Sequence, residues 1–255
     1  MSAIISTVAQ LIPLTVPETG IYIAFEIRFF LKEDENGGAI LKKAIGRYFN
    51  APGWDFDGAE NRVGFATISP ATLKANTVFG KFPALEGQDL SQYLFMGDIH
   101  CFVPIPQLDQ GLPHGCAPYL MAGGHVQNTN SSDFTWDIAL SDFYCLGDPA
   151  SGSVTIKSAI PNTKRWSKRD KVMPKSGSPI SQHGPVTDMQ QCLDGLEIHT
   201  LINDLGYIKK TVGAAVSRSG SGSELSTPMK VAPPPKRAAQ SQDHSDSGSP
   251  AKRSK

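Results

Sequence analysis

The 255-residue sequence predicts an α+β domain, a mainly antiparallel sheet with a few short helices, followed by a disordered basic C-terminal tail. Three observations predict it: strict alternation over residues 20–32, helix-spaced apolar residues over Ala39–Phe49, and an abrupt change of composition near Ser217. In GIYIAFEIRFFLK, Ile21, Ile23, Phe25, Ile27 and Phe29 share one face, while Tyr22, Glu26, Arg28 and Phe30 share the other. That is the period of a half-buried strand, with Glu26 and Arg28 expected in solvent. After the turn-like EDENGG, the segment AILKKAIGRYF sets Ile40, Leu41, Ala44, Ile45 and Tyr48 opposite Lys42, Lys43 and Arg47. The spacing predicts a short amphipathic helix. A second helix is expected from Thr187, where Thr187 and Gln190 form a capping-box pattern ahead of Cys192, Leu193 and Leu196. Its continuation, GLEIHTLI, alternates as a strand would. Further strands are expected at 75–79, 93–104, 133–145 and Ser153–Ala159, between turn-rich loops. The chain thus divides into an N-terminal arm (1–18), a globular domain (19–216) and the tail (217–255), with no internal repeat evident.

Hydrophobic residues make up 40% of the chain and charged residues 19%, enough apolar side chain for a sizeable core. Twenty-four basic residues balance twenty-four acidic ones, which argues against a uniformly basic nucleic-acid binder. The balance is uneven: the tail carries seven basic and three acidic residues, net +4, leaving −4 for the rest. Ten serines, five prolines, one leucine and no aromatic residue give the tail nothing to bury. Ordering it would cost roughly 1–2 kcal/mol per residue of backbone entropy without return. Four cysteines are too few for a disulfide framework in a chain of this length. The first 18 residues are apolar but lack a basic residue and are broken by Gln10, Pro13 and Pro17, so secretion is not expected.

The densest group of potential ligands is His100, Cys101, His114, Cys116 and His125. Zinc sites show paired short spacings, none of which occurs here, and adjacent His100 and Cys101 are expected on opposite faces of a strand. Buried thiols and loop histidines are the expectation, with no metal and no cofactor. No nucleophile-elbow, metalloprotease or phosphate-loop pattern is present, and the chain is not expected to be an enzyme. Basic clusters are more telling. Residues 164–175 carry Lys164, Arg165, Lys168, Arg169, Lys171 and Lys175 around Trp166, a set suited to phosphate of nucleic acid or of an anionic lipid surface. In the tail, PPPKR and AKRSK offer Lys236, Arg237, Lys252, Arg253 and Lys255 on extended chain, the form a nuclear import receptor reads.

The strand GIYIAFEIRFFLK, its turn and the segment AILKKAIGRYF, with a terminal segment rich in Pro, Ser and basic residues, resemble the layout of rhabdovirus matrix proteins. The resemblance implies a non-enzymatic virion protein that binds viral nucleoprotein or RNA, self-associates and lies peripherally on an anionic membrane. The import tail fits plant-infecting members that mature in the host nucleus. Zero net charge, a C-terminal rather than N-terminal basic tail and the lack of P-P-x-Y or P-[ST]-A-P depart from that pattern. For self-association, exposed apolar surface is expected at Leu11, Ile12 and Leu14. The alternative is a plant-virus movement protein or other single-stranded nucleic-acid carrier, with residues 164–175 on phosphates and Trp166 on a base. Replacing Lys236, Arg237, Lys252, Arg253 and Lys255 by Ala is expected to abolish nuclear accumulation of a fluorescent fusion; unchanged accumulation would remove the tail from this role.

Overall fold

The first strand, β1 (Ser2–Pro13), has two hydrogen-bonding edges and uses them on three partners. One edge pairs with β4 (Arg62–Ala71) over Ile5 to Leu11; the other is divided between β2 (Tyr22–Glu33) and β6 (Tyr119–Asn130). With β3 (Ala39–Phe49) and β5 (Met96–Pro104), these N-terminal strands close a ring in the order β1-β2-β3-β5-β4-β1. Every pairing is antiparallel except β3 with β5.

A second ring follows the same plan. β6, β7 (Thr135–Leu140), β10 (Ser153–Ala159), β12 (Gly195–Leu201) and β11 (Pro179–Cys192) close in the order β6-β7-β10-β12-β11-β6, with β10 and β12 parallel. Each ring is a five-stranded Greek-key barrel, the architecture of the oligonucleotide- and oligosaccharide-binding fold. β1 and β6 are the first strands of their rings, and Ser2 to Ser6 run antiparallel against Gly123 to Tyr119. Equivalent strands paired antiparallel define a local pseudo-two-fold axis at the joint. β13 (Asp204–Tyr207) extends the sheet beside β11, and β8 (Tyr144–Cys145) with β9 (Asp148–Pro149) forms a separate short ladder. The computed structural model describes residues 2–14, 22–49, 61–108, 112–140, 144–145, 148–149, 153–167, 173–193 and 195–207. By contacts the chain divides into Met1–Thr211 and Val212–Lys255, and the second unit, with the tail's expected import residues, lies outside the described set.

The architecture is therefore mostly β, and the α+β expectation is corrected. Among the described residues the α-helices are α1 (Ala75–Lys81), where a strand was expected, and the single turn α2 (Lys164–Ser167). Ala39–Phe49 is a strand because its apolar residues serve two faces. Ala44 and Tyr48 point into the barrel, and Ile45 points out beneath Val78, Phe82, Leu85 and Leu90 of the β4–β5 connection and Met96 of β5. Gly46 sits where a Cβ would meet the Cδ1 atoms of Ile27 and Ile99, so the strand crosses the barrel wall at close approach. The expected helix at Thr187 is part of β11, and Thr187 falls at a bulge. The extra residue shifts the inward set from Val186 to Met189, which imitates a helical spacing of three. The segment expected as an arm contributes β1, whose Leu11 is 0% exposed; Ile12 and Leu14 are half-buried, so the apolar surface expected there is largely used in packing.

One continuous core fills both barrels, with Phe25, Ile27, Phe29 and Phe102 in the first and Trp136, Ile138, Ile156 and Ile198 in the second. Inside the second, Trp136 Nε1 donates to Gln182 Oε1 at 2.9 Å, and Gln182 Nε2 donates to Ser158 Oγ at 2.5 Å. These buried polar groups satisfy one another, which a low-dielectric interior demands. No helix among the described residues is long and apolar enough to cross a membrane. Replacing Trp136 by Phe removes the donor and strands the Gln182 carbonyl, at an expected cost of about 1–3 kcal/mol in urea unfolding. An unshifted midpoint would show that Gln182 is satisfied by another route.

Candidate functional site

Outward residues of β2, β3 and β5 (Tyr22, Arg47, Phe49, Asp98 and His100), with the edge of inward Ile99, line an open concavity of about 260 Å³ on the first barrel. Tyr22 and Phe49 are cross-strand partners whose rings meet edge to face, centroids 5.5 Å apart at 61°. They are 40% and 49% exposed; among the described residues Phe65 and Tyr207 are exposed to a similar degree, but neither is paired with a second exposed ring. Arg47 holds its guanidinium 4.5 Å from the Tyr22 ring centroid, and its Nε donates to Asp98 Oδ1 at 2.7 Å. The carboxylate thereby fixes a planar cation over an aromatic face. His100 is the extra residue of a bulge in β5, and its Nε2 lies 2.6 Å from Ser69 Oγ. The bulge also explains why His100 and Cys101 are both exposed, rather than on opposite faces as simple alternation requires.

The middle of the same face is covered. The β4–β5 connection lays α1, a 3-10 turn (Pro83–Leu85), Leu90 and Tyr93 over Ala24 and Ile45. Under it Glu26, expected in solvent, is 6% exposed. Its carboxylate accepts from Arg28 Nε, from Tyr93 Oη at 3.0 Å, and has Lys43 Nζ at 3.5 Å. Burial pushes the Glu26 carboxyl up, but the hydrogen bonds from Arg28 and Tyr93 and the charges of Arg28 and Lys43 outweigh it and hold it below the usual range. Tyr93 is pushed up to about 12 by burial and by its hydrogen bond to the Glu26 anion.

The second barrel repeats the backbone of this site with different chemistry. Asp98-Ile99-His100 on β5 has its counterpart in Glu197-Ile198-His199 on β12, each isoleucine inward and each acid paired to a cation of the barrel's third strand. Lys157 Nζ is 2.8 Å from Glu197, whose carboxylate also meets His199 Nε2 at 2.6 Å and Gln190 Nε2 at 2.7 Å. Burial raises the Glu197 carboxyl, yet the hydrogen bonds from Lys157, His199 and Gln190 bring it below the usual value. The concavity beside this network, about 280 Å³, is lined by Thr135, Asp137, Lys157, Thr187, His199 and Leu201 among others, with no Phe, Tyr or Trp. One barrel offers stacking surface; the other offers a polar network.

The residues singled out in the sequence fall elsewhere. Lys164, Arg165 and Trp166 lie on α2, between β10 and β11. Arg165 reaches Asp204 Oδ1 at 3.5 Å and stands 5.5 Å from the Trp166 ring, but Trp166 is half-buried against the main core. Lys175 is exposed in the turn before β11, while Lys168, Arg169 and Lys171 lie outside the described residues. The thiols of Cys101, Cys116 and Cys192 are exposed rather than buried, and His114 stacks on Phe30 at 6.3 Å. Among the described residues no group of three His, Cys, Asp or Glu is gathered where it could hold a metal ion. Tyr22 and Phe49 were missed. The signal that could have found the duplicated scaffold is the recurrence of acid-Ile-His at 98–100 and 197–199.

No protein-family model matches the chain, and no curated protein matches it. Among solved structures it is similar to the wild-type single-stranded DNA binding protein from Thermus aquaticus. The identity is 7% and the TM-score 0.42, over 82% of this chain and 94% of that one. A deletion mutant of the same protein matches at 8% and 0.42, over 81% and 93%.

The ionised Glu26 adds stability above its ordinary value of 4.5, and this stability is lost as pH falls through the depressed folded value. Tyr93 has the opposite sign: its contribution is present below its ordinary value of 10.0 and is lost as pH rises through about 12. Glu26→Gln is therefore expected to flatten the acid limb of a plot of urea midpoint against pH, and Tyr93→Phe the alkaline limb. Limbs as steep as in the parent protein would show that neither group is linked to folding.

Proposed function

We propose that this chain binds single-stranded nucleic acid, stacking bases on Tyr22 and Phe49 of the first barrel beside the Arg47 guanidinium. The observation that carries the reading is the exposed aromatic pair with its fixed cation, on the outer face of the second and third strands of a Greek-key barrel. Barrels of this architecture take oligonucleotides on that face. Aromatic rings accept any base, because every base has a π-face, so the contact is tolerant of sequence. Arg47 adds cation–π character and is already desolvated by Asp98. Zero net charge agrees with a binder that relies on stacking at least as much as on its overall field. The carrier reading is preferred to the matrix one because it uses a surface that is open, whereas Leu11 is fully buried in β1.

The test is fluorescence anisotropy with labelled oligothymidylate and oligouridylate. Tyr22→Ala and Phe49→Ala are each expected to weaken binding by about 1–3 kcal/mol, with little change in salt dependence, because the lost contact is uncharged. Binding by the double variant at parent strength would exclude this face.

A further inference from the structure

The strands β5, β4, β1, β6 and β11 pair antiparallel in that order, so their outer faces form one surface that crosses the joint between the barrels. Along it, residues 101–104, 63–69, 3–12, 119–125 and 179–185 contain no Asp, Glu, Lys or Arg, in a chain that is 19% charged. Charged side chains sit elsewhere on the barrels: Glu26 and Arg28 on β2, Arg47 on β3, Lys157 on β10, Glu197 on β12. The uncharged surface is largely apolar. Phe65 faces Val8 on one neighbouring strand and Val103 on the other, and Ile4 faces Met121 across the joint. Phe65, Val103 and Met121 are 42%, 53% and 47% exposed, and Ile4 and Val8 are half-buried.

A depression of about 410 Å³ lies at the centre, between Ile4, Met121 and Gly123 on one side and Ser181 and His183 on the other. Polar groups beside it satisfy one another, with Tyr119 Oη 2.6 Å from His183 Nδ1. β1 and β6 occupy the middle of the surface, each flanked by the fourth strand of its own ring, so the face carries the pseudo-two-fold of the joint.

This chemistry selects the occupant. A nucleic acid or an anionic membrane finds no cation here to meet its phosphates. The tail, net +4 with a single leucine, finds neither acidic partners nor apolar residues of its own to bury. A second copy brings the same uncharged face and buries it without desolvating an ion. At about 3.3 Å per residue and about 4.8 Å per strand the face covers roughly 550 Å². Two such faces bury about 1,100 Å², above the roughly 1,000 Å² that a specific interface needs.

We propose that two copies of this chain pack face to face through the β5-β4-β1-β6-β11 sheet, with Phe65, Val103, Ile4 and Met121 at the core of the interface. Self-association, expected at Leu11, Ile12 and Leu14, is thereby placed further along the sheet, on residues that packing within the chain leaves open. The aromatic pair lies on β2 and β3, outside this surface, and the proposal stands or falls independently of the nucleic-acid reading.

The experiment is sedimentation of the full chain in reducing buffer over a range of concentrations. The parent is expected to sediment as a dimer, and Met121→Glu and Phe65→Glu each as a monomer with an unchanged far-UV dichroism spectrum. Cys101 lies on the face, paired with Thr67, and supplies a readout that needs no substitution. Its alkylation, followed by peptide mass spectrometry, is expected to be several-fold slower in the dimer than on dilution, while exposed Cys116 and Cys192 serve as references. A parent that is monomeric at every concentration would overturn the proposal. A dimer that survives both substitutions, or one in which Cys101 reacts as fast as in the monomer, would move the interface elsewhere and overturn it too. Protection of Cys101 in a monomeric chain would give the face to another part of the same molecule, and protection by phosphatidylserine vesicles alone would give it to a membrane; either result also sinks it.

Discussion

The whole molecule hangs on how β1 divides its hydrogen bonds. Its last residues close the first barrel against β2, its first residues reach across to β6, and its opposite edge is committed to β4. β6 does the same, giving Tyr119 to Gly123 to the joint and His125 to Asn130 to its own barrel. A strand so committed leaves no open edge at the joint, and its side chains cannot change face without breaking three ladders. A register slip of one residue would turn Ala3, Ile5, Thr7, Ala9 and Leu11 outward together. The two barrels are thereby bound into one core.

That closure decides where function can lie. Inward positions are filled by packing, and the outer face of β2 and β3 would be continuous had the β4–β5 connection not settled on its centre. The connection is anchored twice over: apolar residues cover Ala24 and Ile45, and Tyr93 closes on the buried Glu26 carboxylate. A buried anion left without Tyr93 or Arg28 would be costly, so the cover is held in place by charge as well as by area. Among the described residues the two ends of the face stay open, with the aromatic pair at one and the cleft beside Leu41 and Lys43 at the other.

The sequence was legible where alternation is kept through most of a strand. Residues 22–30 alternate and fall in β2, although its outer face is covered at Ala24 and Glu26 and its register shifts between Phe30 and Lys32; Ser153–Ala159 is a strand as expected. It was illegible where a cover or a bulge sets apolar residues at helix-like spacing. Ile45 is apolar because of the overlying connection, not because of a helix, and Thr187 breaks the period of β11 so that Val186 and Met189 fall three apart. Ile99 and Phe102 are likewise three apart across the His100 bulge. The aromatic pair was hidden for a further reason: Tyr22 and Phe49 are distant in sequence and meet only through the β2–β3 register. Basic residues drew attention because charge is visible one residue at a time, whereas stacking surface exists only after folding.

The two barrels show how a repeated scaffold acquires unlike surfaces. Ile99 and Ile198 occupy the same inward place on the fifth strand because cavities at either would be costly. The outward acid on each, Asp98 or Glu197, keeps a cation partner from the third strand, since a partly buried carboxylate needs a cation and either Arg or Lys supplies one. The substitution still matters. The Arg47 guanidinium is planar and lies over Tyr22, while the Lys157 ammonium is a point charge absorbed into the Glu197–His199 network. Packing thus preserved the fold in both halves, and the outward positions it left unconstrained made one barrel a surface for rings and the other a surface for hydrogen bonds.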